Sequence, residues 1–255
     1  MIFYFSGTGN SKMIAQWLNE VMHDELIAIN HATSIKKLSC TGKSLGFICP
    51  VYGWGLPLYV EKFIEKLPTS FFNQPEYTFF ILTCGDDIGR SDELLRKMWK
   101  NKGGGRVECF SLRMRNTYVC LPGFDIDNIN VEKEKESHAR TVISDIASRI
   151  VRQQPTSATD VTPGAFPWIK SYVLRPLFNK FLVNDRYFHL NKESCIRCGR
   201  CVQLCPTSNI SFGPEGTPHW NGNCTQCLAC YHGCPRHAIN FGKYTESKGQ
   251  VKINF

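Results

Sequence analysis

The chain opens with the stretch MIFYFSGTGNS, residues 1–11, in which a mainly apolar run of five residues leads into a loop of small residues. Apolar residues then recur at helical spacing through residues 14–21. A strand, a glycine-rich turn and a helix in this order let several backbone amides point into the turn, beside the positive end of the helix. With the hydroxyl groups of Ser6, Thr8 and Ser11, these amides predict a site for a phosphate dianion.

This candidate phosphate loop consists of Ser6, Gly7, Thr8, Gly9, Asn10 and Ser11. It lacks the Walker A spacing G-x-x-x-x-G-K-[ST]. Lys12 occupies the position at which the motif G-x-G-x-x-G requires its last glycine. A glycine turn without a ligand is the alternative interpretation of the loop.

Short apolar runs and helix-period patterns alternate through the first 150 residues. The strand-like runs are Met1–Phe5, Glu25–Ile29, Leu45–Cys49, Tyr77–Thr83 and Val107–Leu112. The helical stripes lie within residues 14–21, 56–67, 94–99 and 142–150, and only the connection around Ala32–Leu38 is too short for a full helix. This alternation predicts an α/β domain, a doubly wound five-stranded parallel sheet with helices on both faces.

Two further loops follow predicted strands and therefore lie at the same edge of the sheet as the phosphate loop. One places large aromatic residues among glycines and prolines, and the other consists of small and acidic residues. Their candidate binding residues are Pro50, Val51, Tyr52, Gly53, Trp54, Gly55, Thr83, Cys84, Gly85 and Asp86. Together the three loops could hold a flat aromatic ring system with a phosphate tail.

Residues 1–150 resemble a flavodoxin in this phosphate loop and in the placement of the two later loops. The resemblance implies FMN, with its phosphate in residues 6–11 and its ring between the Tyr52–Trp54 and Thr83–Asp87 loops. Trp54 is favoured over Tyr52 as the residue that stacks on the ring, and packing of both aromatics on loop glycines is the alternative. Flavodoxins are usually strongly acidic, whereas this domain carries 18 Lys and Arg against 17 Asp and Glu.

Eight of the thirteen cysteines form two runs with the same spacing, C-x2-C-x2-C-x3-C-P. The eight candidate metal ligands are Cys195, Cys198, Cys201, Cys205, Cys224, Cys227, Cys230 and Cys234. Every position of the second run lies 29 residues after its counterpart, and the repeat extends to Ile210 and Ile239. This duplication matches the bacterial two-cluster ferredoxin pattern, a small α+β domain with two 4Fe–4S clusters. Structural zinc is the alternative, but zinc sites use two cysteine pairs separated by a longer loop.

The spacing within each run predicts a crossed assignment of ligands. Three thiolates two residues apart can wrap one corner of a cubane, whereas the fourth lies beyond the reach of the same cluster. Cluster one is therefore predicted to use Cys195, Cys198, Cys201 and Cys234, and cluster two Cys224, Cys227, Cys230 and Cys205. The predicted apolar shell comprises Ile196, Val202, Ile210, Phe212, Ile239 and Phe241.

Charge is distributed unevenly, because residues 151–255 carry 12 Lys and Arg against only 5 Asp and Glu. The basic residues near the cysteines are Lys192, Arg197, Arg200, Arg236, Lys243 and Lys248. They favour docking of an acidic redox partner protein, with compensation of cluster charge as the alternative. Nucleic-acid binding is disfavoured, since no recognition motif accompanies these residues.

The chain divides into a flavodoxin-like domain (1–151), a linker with short amphipathic helices (152–185) and a two-cluster domain (186–255). Within the linker, Pro176 is expected to split the apolar stretch 166–182 into two helices buried between the domains, and a helix on a membrane surface is the alternative. The stretch 113–122 has no core pattern, and covering the flavin or binding a substrate is its expected role.

The composition excludes a disordered or fibrous chain, with 42% apolar and 20% charged residues. No apolar run of 18 residues predicts a membrane span, and the first residues lack the basic region of an export signal. Reduced thiols in the cytoplasm are therefore expected, and the five scattered cysteines read as small buried hydrophobic residues.

As a whole the chain resembles the flavodoxin–ferredoxin fusion family of iron–sulfur flavoproteins. That resemblance implies electron transfer between FMN and two 4Fe–4S clusters, with a low-potential carrier that supplies a partner protein as the first hypothesis. The alternative is a ferredoxin-fed flavin reductase that acts on a small molecule at the FMN. No segment resembles a separate NAD(P)H-binding domain.

Overall fold

A computed structural model describes residues 1–31, 33–35, 38 and 43–253. Its largest element is a five-stranded sheet with the order β2-β1-β3-β4-β5, in which all neighbouring strands are parallel. The strands are β1 (Ile2–Tyr4), β2 (Leu26–Ala28), β3 (Ser44–Pro50), β4 (Tyr77–Cys84) and β5 (Val107–Arg113). This order is that of the flavodoxin-like doubly wound fold, as predicted.

The central strands β3 and β4 are buried on both faces, which explains why they read as continuous apolar runs. Their seven-residue register runs from Ser44 opposite Tyr77 to Pro50 opposite Thr83. Phe47 stacks on Phe80 across this pair, with ring centroids 4.5 Å apart. The register brings the carboxyl ends of both strands, and the loops that follow them, to one edge.

Helices cover both faces of the sheet. They are α1 (Asn10–Met22), α2 (Leu58–Glu65), α3 (Ser70–Asn73), α4 (Ser91–Asn101) and α5 (Ile129–Val151). The stripe of α2 and the Trp99 end of α4 pack with Phe3, while α1 and α5 pack on the other face with Ile2. The predicted stripes are thus the buried faces of these helices, except that Val21 is 48% exposed. The predicted short connection at Ala32–Leu38 lies partly outside the described residues.

The start of the linker is held to α5 by a bidentate ion pair. Arg149 donates to both carboxylate oxygens of Asp160, at 2.5 and 2.8 Å, where a 3₁₀ turn spans Ala158–Asp160. These hydrogen bonds from Arg149 lower the pKa of Asp160. Residues that read as a linker are therefore packed on the flavodoxin-like domain.

Replacing Asp160 by asparagine is expected to lower the free energy of unfolding at pH 7 by about 1–2 kcal/mol, because two charge-assisted hydrogen bonds are weakened. The pKa of Asp160 is lower folded than unfolded, so its contribution is complete above the unfolded value near 3.9 and is lost as pH falls through the folded pKa. The difference between wild type and Asp160→Asn should therefore persist from pH 7 to pH 5. Anaerobic thermal unfolding followed by circular dichroism measures it.

The matched control is Asp145→Asn, since Asp145 lies 3.9 Å from the same guanidinium and is mostly exposed. We expect that control to change stability by less than about 0.5 kcal/mol. Equal losses in both variants would contradict a special contribution of Asp160.

The linker helix runs without a break from α6 (Pro167–Ile169) through a π-helical turn (Lys170–Leu174) into α7 (Arg175–Phe181). The prediction that Pro176 splits this segment is wrong. Proline lacks an N–H group and its ring crowds the preceding turn. It sits at the start of α7, directly after the wider π turn.

The prediction that this apolar segment is buried between the domains is also wrong for most of its side chains. Only one side of the linker helix packs inward, with Ser171 buried against the flavodoxin-like domain. The apolar residues exposed by 40% or more are Phe166, Trp168, Ile169, Tyr172, Val173, Leu174, Leu177 and Phe181. Within the described residues, no helix combines the length and apolar character needed to cross a membrane.

The C-terminal region contains two small antiparallel sheets and two short helices. Its elements are β6 (Phe188–Leu190), α8 (Arg200–Leu204), β7 (Ile210–Phe212), β8 (Pro218–Trp220), α9 (Ala229–His232) and β9 (Ile239–Phe241). Strand β6 pairs with β9, and β7 pairs with β8. The sequence duplication is also a backbone duplication, because left-handed residues recur 29 positions apart: Arg197 with Gln226, Gly199 with Leu228, and Ser208 with His237.

Polar contacts tie the C-terminal region to the loop after β5. The ammonium of Lys248 donates to the carbonyls of Val119 and Leu121, at 3.0 and 2.6 Å, and also to that of Phe124. His232 Nε2 lies 2.8 Å from the Thr117 carbonyl, while its Nδ1 accepts from the Val251 amide. Burial lowers the pKa of His232 to about 4, so the ring is neutral and its Nε2 donates.

Candidate cofactor sites

A cavity of about 360 Å³ opens at the carboxyl edge of the parallel sheet. All three predicted loops line it, and of the predicted binding residues only Gly9 and Gly55 do not. The lining residues that were predicted are Ser6, Gly7, Thr8, Asn10, Ser11, Pro50, Val51, Tyr52, Gly53, Trp54, Thr83, Cys84, Gly85 and Asp86. The sheet topology thus brings together residues up to 80 positions apart.

The phosphate loop is shaped for a ligand at the start of α1. The Gly9 amide donates to Ser6 Oγ at 3.1 Å, and Gly9 has φ 102°, a conformation that only glycine adopts without strain. The first amides of a helix have no acceptor within the helix, so the start of α1 is a type of site that favours a phosphate. Ser11 Oγ lies 2.8 Å from Thr83 Oγ1, which joins this loop to the one after β4.

The aromatic loop after β3 splits its two large residues between different surroundings. Tyr52 turns inward, with its hydroxyl near Gly7 and its ring 6.5 Å from that of Phe5. Trp54 lies toward the linker helix, where its ring centroid is 5.7 Å from Lys170 Nζ. Burial and the neighbouring Cys227 and Cys224 thiols raise the pKa of Tyr52 well above its usual value, so the hydroxyl stays protonated.

The loop after β4 is held by contacts from later parts of the chain. Gly85 lies directly against the Asn116 side chain, where a side chain on residue 85 would collide. Asp127 fixes Asn116 by accepting from its backbone amide at 2.8 Å, and it also pairs with Lys135 at 2.8 Å. Asp87 forms an ion pair with Lys170 at 2.5 Å.

The stretch 113–122, for which covering the flavin or binding a substrate was predicted, contributes residues to the cavity wall. Thr117 and Tyr118 line the cavity, and the ring of Tyr118 contacts that of Phe178 from the linker helix, with centroids 5.9 Å apart. Phe124 also lines it. Residues of the linker helix and of this stretch thus line the same cavity as the sheet-edge loops.

Several polar atoms on the cavity wall are buried without a hydrogen-bonding partner among the described residues. They are Asn10 Oδ1, Arg115 Nε, Tyr118 Oη, and both amide atoms of Gln226. Buried polar groups are normally satisfied, so unpaired donors and acceptors that face one cavity indicate a polar ligand. The cavity combines the phosphate loop at the start of α1 with the aromatic side chains of its wall, and this combination fits a nucleotide-like group such as FMN.

The eight patterned cysteines separate into the two predicted groups. Cys195, Cys198, Cys201 and Cys234 line one small pocket. Cys205, Cys224, Cys227 and Cys230 line another. In the described part of the chain, no three His, Cys, Asp or Glu side chains are arranged to hold a single metal ion. A cubane has four separate iron atoms, each bound by one thiolate, and the two pockets of four thiols fit that requirement.

The surroundings of the two groups differ. Burial raises the pKa of Cys201 to about 11 and that of Cys224 to about 12, and it raises those of Cys227 and Cys230 further. Cys198 is exposed in the first group. Of the predicted apolar shell, Ile210, Ile239 and Phe241 are buried, whereas Ile196 and Phe212 are each 60% exposed. The first group of cysteines is therefore the more accessible one, and the second group is the interior one.

The phosphate loop touches the interior cysteine group. A Cβ atom on Gly7 would lie 2.5 Å from Cys227 Cβ and 2.8 Å from its carbonyl oxygen. Tyr52 lies at the same contact, since its hydroxyl would be 3.0 Å from that Cβ. Cys227 and its neighbours Gln226 and Leu228 also line the large cavity. The two candidate cofactor sites therefore share a wall.

The remaining cysteines that the structure describes are packing residues. Cys49, Cys84, Cys109 and Cys120 are buried, which confirms their predicted role, and Cys40 lies outside the described residues. Burial raises the pKa of Cys84 to about 12, so its thiol faces the cavity in the protonated form.

Comparisons with known proteins found one family and several solved structures that resemble parts of this chain. The 4Fe–4S binding domain family matches residues 188–211. An uncharacterized polyferredoxin-like protein of Methanocaldococcus jannaschii is 34% identical over 47 residues, which are 18% of this chain and 28% of that protein. The chain thus spans less than a third of that relative.

Among solved structures, the Fusobacterium nucleatum flavodoxin bound to flavin mononucleotide shares 15% identity, with a TM-score of 0.39, over 60% of this chain and 96% of that one. A flavodoxin from the domain Archaea shares 13% identity, with a TM-score of 0.39, over 59% of this chain and 97% of that one. The strand order gives the flavodoxin-like fold of the sheet domain, and the family match covers the first of the two cysteine runs.

Sequence reasoning missed part of the cavity wall. Lys170 and Phe178 from the linker helix, and Gln226 to Leu228 from the 4Fe–4S region, all line the cavity. No local pattern marks them, because each reaches the cavity only when the C-terminal half packs on the sheet edge.

Proposed function

We propose that the chain is an iron–sulfur flavoprotein that binds FMN in the large cavity and two 4Fe–4S clusters at its two cysteine groups, and that it carries electrons between them and a partner protein. The observation that carries this proposal is the contact of the phosphate loop with Cys227, because it puts the two kinds of site side by side. FMN accepts one or two electrons and each cluster one, so the pairing can divide or gather electron pairs.

The chain's own residues define the proposed binding mode. Residues 6–11 would hold the phosphate through backbone amides and hydroxyls, because the helix N-terminus favours an anion there. The loops at residues 50–55 and 83–86 would enclose the ring, with Trp54 preferred over Tyr52 for stacking. Tyr52 points toward Cys227, whereas Trp54 lies beside Lys170 of the linker helix.

The accessible group of cysteines is the proposed point of electron exchange with the partner. Arg197, Arg200 and Arg236 are exposed beside it, so a complementary partner would be acidic. Lys248, which the sequence placed in this basic surface, instead donates to carbonyls of the loop after β5. That contact removes it from the proposed docking surface.

Reversing charge in the double variant Arg197→Glu/Arg200→Glu is expected to slow association with an acidic reduced ferredoxin by about tenfold or more at low salt. Wild-type association should also slow as salt rises. Stopped-flow reduction at several ionic strengths measures both effects. The control is Lys62→Glu/Lys66→Glu near the end of α2, outside the cysteine-rich region. A wild-type rate that does not respond to salt would contradict an electrostatic docking surface.

A reductase is the second candidate function. The cavity continues beyond the three sheet-edge loops to Tyr118, Phe124 and Phe178, which leaves aromatic wall that the proposed FMN loops do not account for. A small molecule bound there would meet the flavin directly.

The experiment that tests the proposed function is anaerobic reduction of the purified, cofactor-loaded chain. We expect FMN to copurify and iron and sulfide to be present. A reduced low-potential ferredoxin should bleach the flavin and cluster absorbance promptly. NADH or NADPH alone should not bleach it. Rapid bleaching by NADH would favour the reductase, and protein reconstituted under these conditions that holds neither flavin nor labile sulfide would overturn the proposal.

A further inference from the structure

The loop between Cys224 and Cys227 forms a wall of the large cavity. Gln226 and Leu228 have φ values of 55° and 60°, so the backbone turns sharply on either side of Cys227. The backbone amide of Gln226 donates to Cys224 Sγ at 3.2 Å, which holds the turn in place. The turn presents Gln226 to the cavity from the 4Fe–4S region.

Gln226 is only 3% exposed, yet neither atom of its side-chain amide has a hydrogen-bonding partner among the described residues. The thiol of Cys120 is close by. Burial raises the pKa of that thiol to about 12, and the side-chain amide of Gln226 opposes this rise. A thiol is a weak hydrogen-bonding group and cannot satisfy both halves of an amide. The side chain therefore keeps a donor and an acceptor available toward the cavity.

The internal duplication supplies a comparison within the same molecule. Arg197 occupies the corresponding position of the first cysteine run, with φ 56° against 55° for Gln226. Arg197 is exposed to solvent, whereas Gln226 is buried against the flavodoxin-like domain. The same backbone turn thus carries a charged residue where it meets water and a neutral amide where it meets the cavity.

We propose that Gln226 is a flavin-binding residue, through which the 4Fe–4S region completes the FMN site by hydrogen bonds to the polar edge of the ring system. This inference rests on the proposed function. A side-chain amide both donates and accepts, which complements the carbonyl oxygens and ring nitrogens along that edge. The flavin site is then a composite of both halves of the chain.

The test uses the full-length, cluster-loaded protein and measures FMN affinity by quenching of flavin fluorescence. Gln226→Leu should raise the FMN Kd by about 5- to 30-fold, the loss expected for one or two hydrogen bonds. Gln226→Glu, which keeps the shape of the side chain, should also lower the reduction potential of the bound flavin, because it adds a negative charge beside the ring. Spectroelectrochemistry at the flavin absorbance measures that shift.

The matched control is Gln203→Leu on α8, an exposed glutamine of the same region outside the cavity, which should leave both quantities unchanged. Iron and sulfide contents show whether each variant retains its clusters, and the isosteric Gln226→Glu remains informative if Gln226→Leu does not fold. Wild-type affinity and potential in both Gln226 variants would overturn the inference and leave the proposed function standing. Wild-type protein that binds no FMN would overturn both.

Discussion

Replacing Cys205 and Cys227 together by alanine is expected to remove only half of the iron and sulfide, whereas replacing Cys205 and Cys198 together removes all of it. The reason is the crossed grouping, in which Cys205 shares a pocket with the second run and Cys198 does not. With two 4Fe–4S clusters the wild type holds about eight iron atoms, and the first double variant about four. Iron and labile-sulfide analysis of anaerobically reconstituted protein measures this.

The two double variants control for each other, because both remove Cys205 and one further ligand. If each run instead held its own cluster, the outcomes would be exchanged: Cys205→Ala/Cys198→Ala would keep half of the iron, and Cys205→Ala/Cys227→Ala would lose it all. Far-UV circular dichroism shows whether either variant has lost its fold. Equal, complete loss from two folded variants would contradict independent clusters.

Replacing Gly7 by alanine is expected to weaken FMN binding by at least about tenfold and to lower the free energy of unfolding by about 1–3 kcal/mol. The added methyl group would lie 2.5 Å from Cys227 Cβ and 2.8 Å from the Cys227 carbonyl oxygen. The phosphate loop and the loop that carries Cys227 must therefore separate. Neither neighbour is the end of a flexible side chain, which limits relaxation. Flavin fluorescence titration and thermal unfolding measure the two effects.

Gly105→Ala serves as the control, since a Cβ there meets nothing within 4 Å among the described residues. That variant should keep wild-type FMN affinity and stability. Electron exchange between flavin and clusters, followed by stopped flow, should slow in Gly7→Ala because the two sites share this contact. Unchanged affinity and exchange in Gly7→Ala would show that the close approach has no role in either site.

The sequence predicted the sheet well because β3 and β4 are buried on both faces and appear as uninterrupted apolar runs. The phosphate loop was also readable, since its glycines and hydroxyls directly precede a helix. The linker was misread for a related reason. Apolar residues around most of the circumference of this stretch predicted burial. The linker helix, however, buries only the side that carries Ser171 and leaves Trp168 and Phe166 exposed.

The two cysteine runs and the strand pattern by themselves predicted the two architectures and the grouping of the eight thiols, because spacing along a chain limits which thiols can reach one cubane. Only the tertiary structure decided how the halves meet. The contact of Gly7 with Cys227, the position of Gln226 in the cavity and the use of Lys248 at the interface join residues more than 100 positions apart. Such contacts depend on the packing of one folded surface on another, which leaves no periodicity or motif in the local sequence.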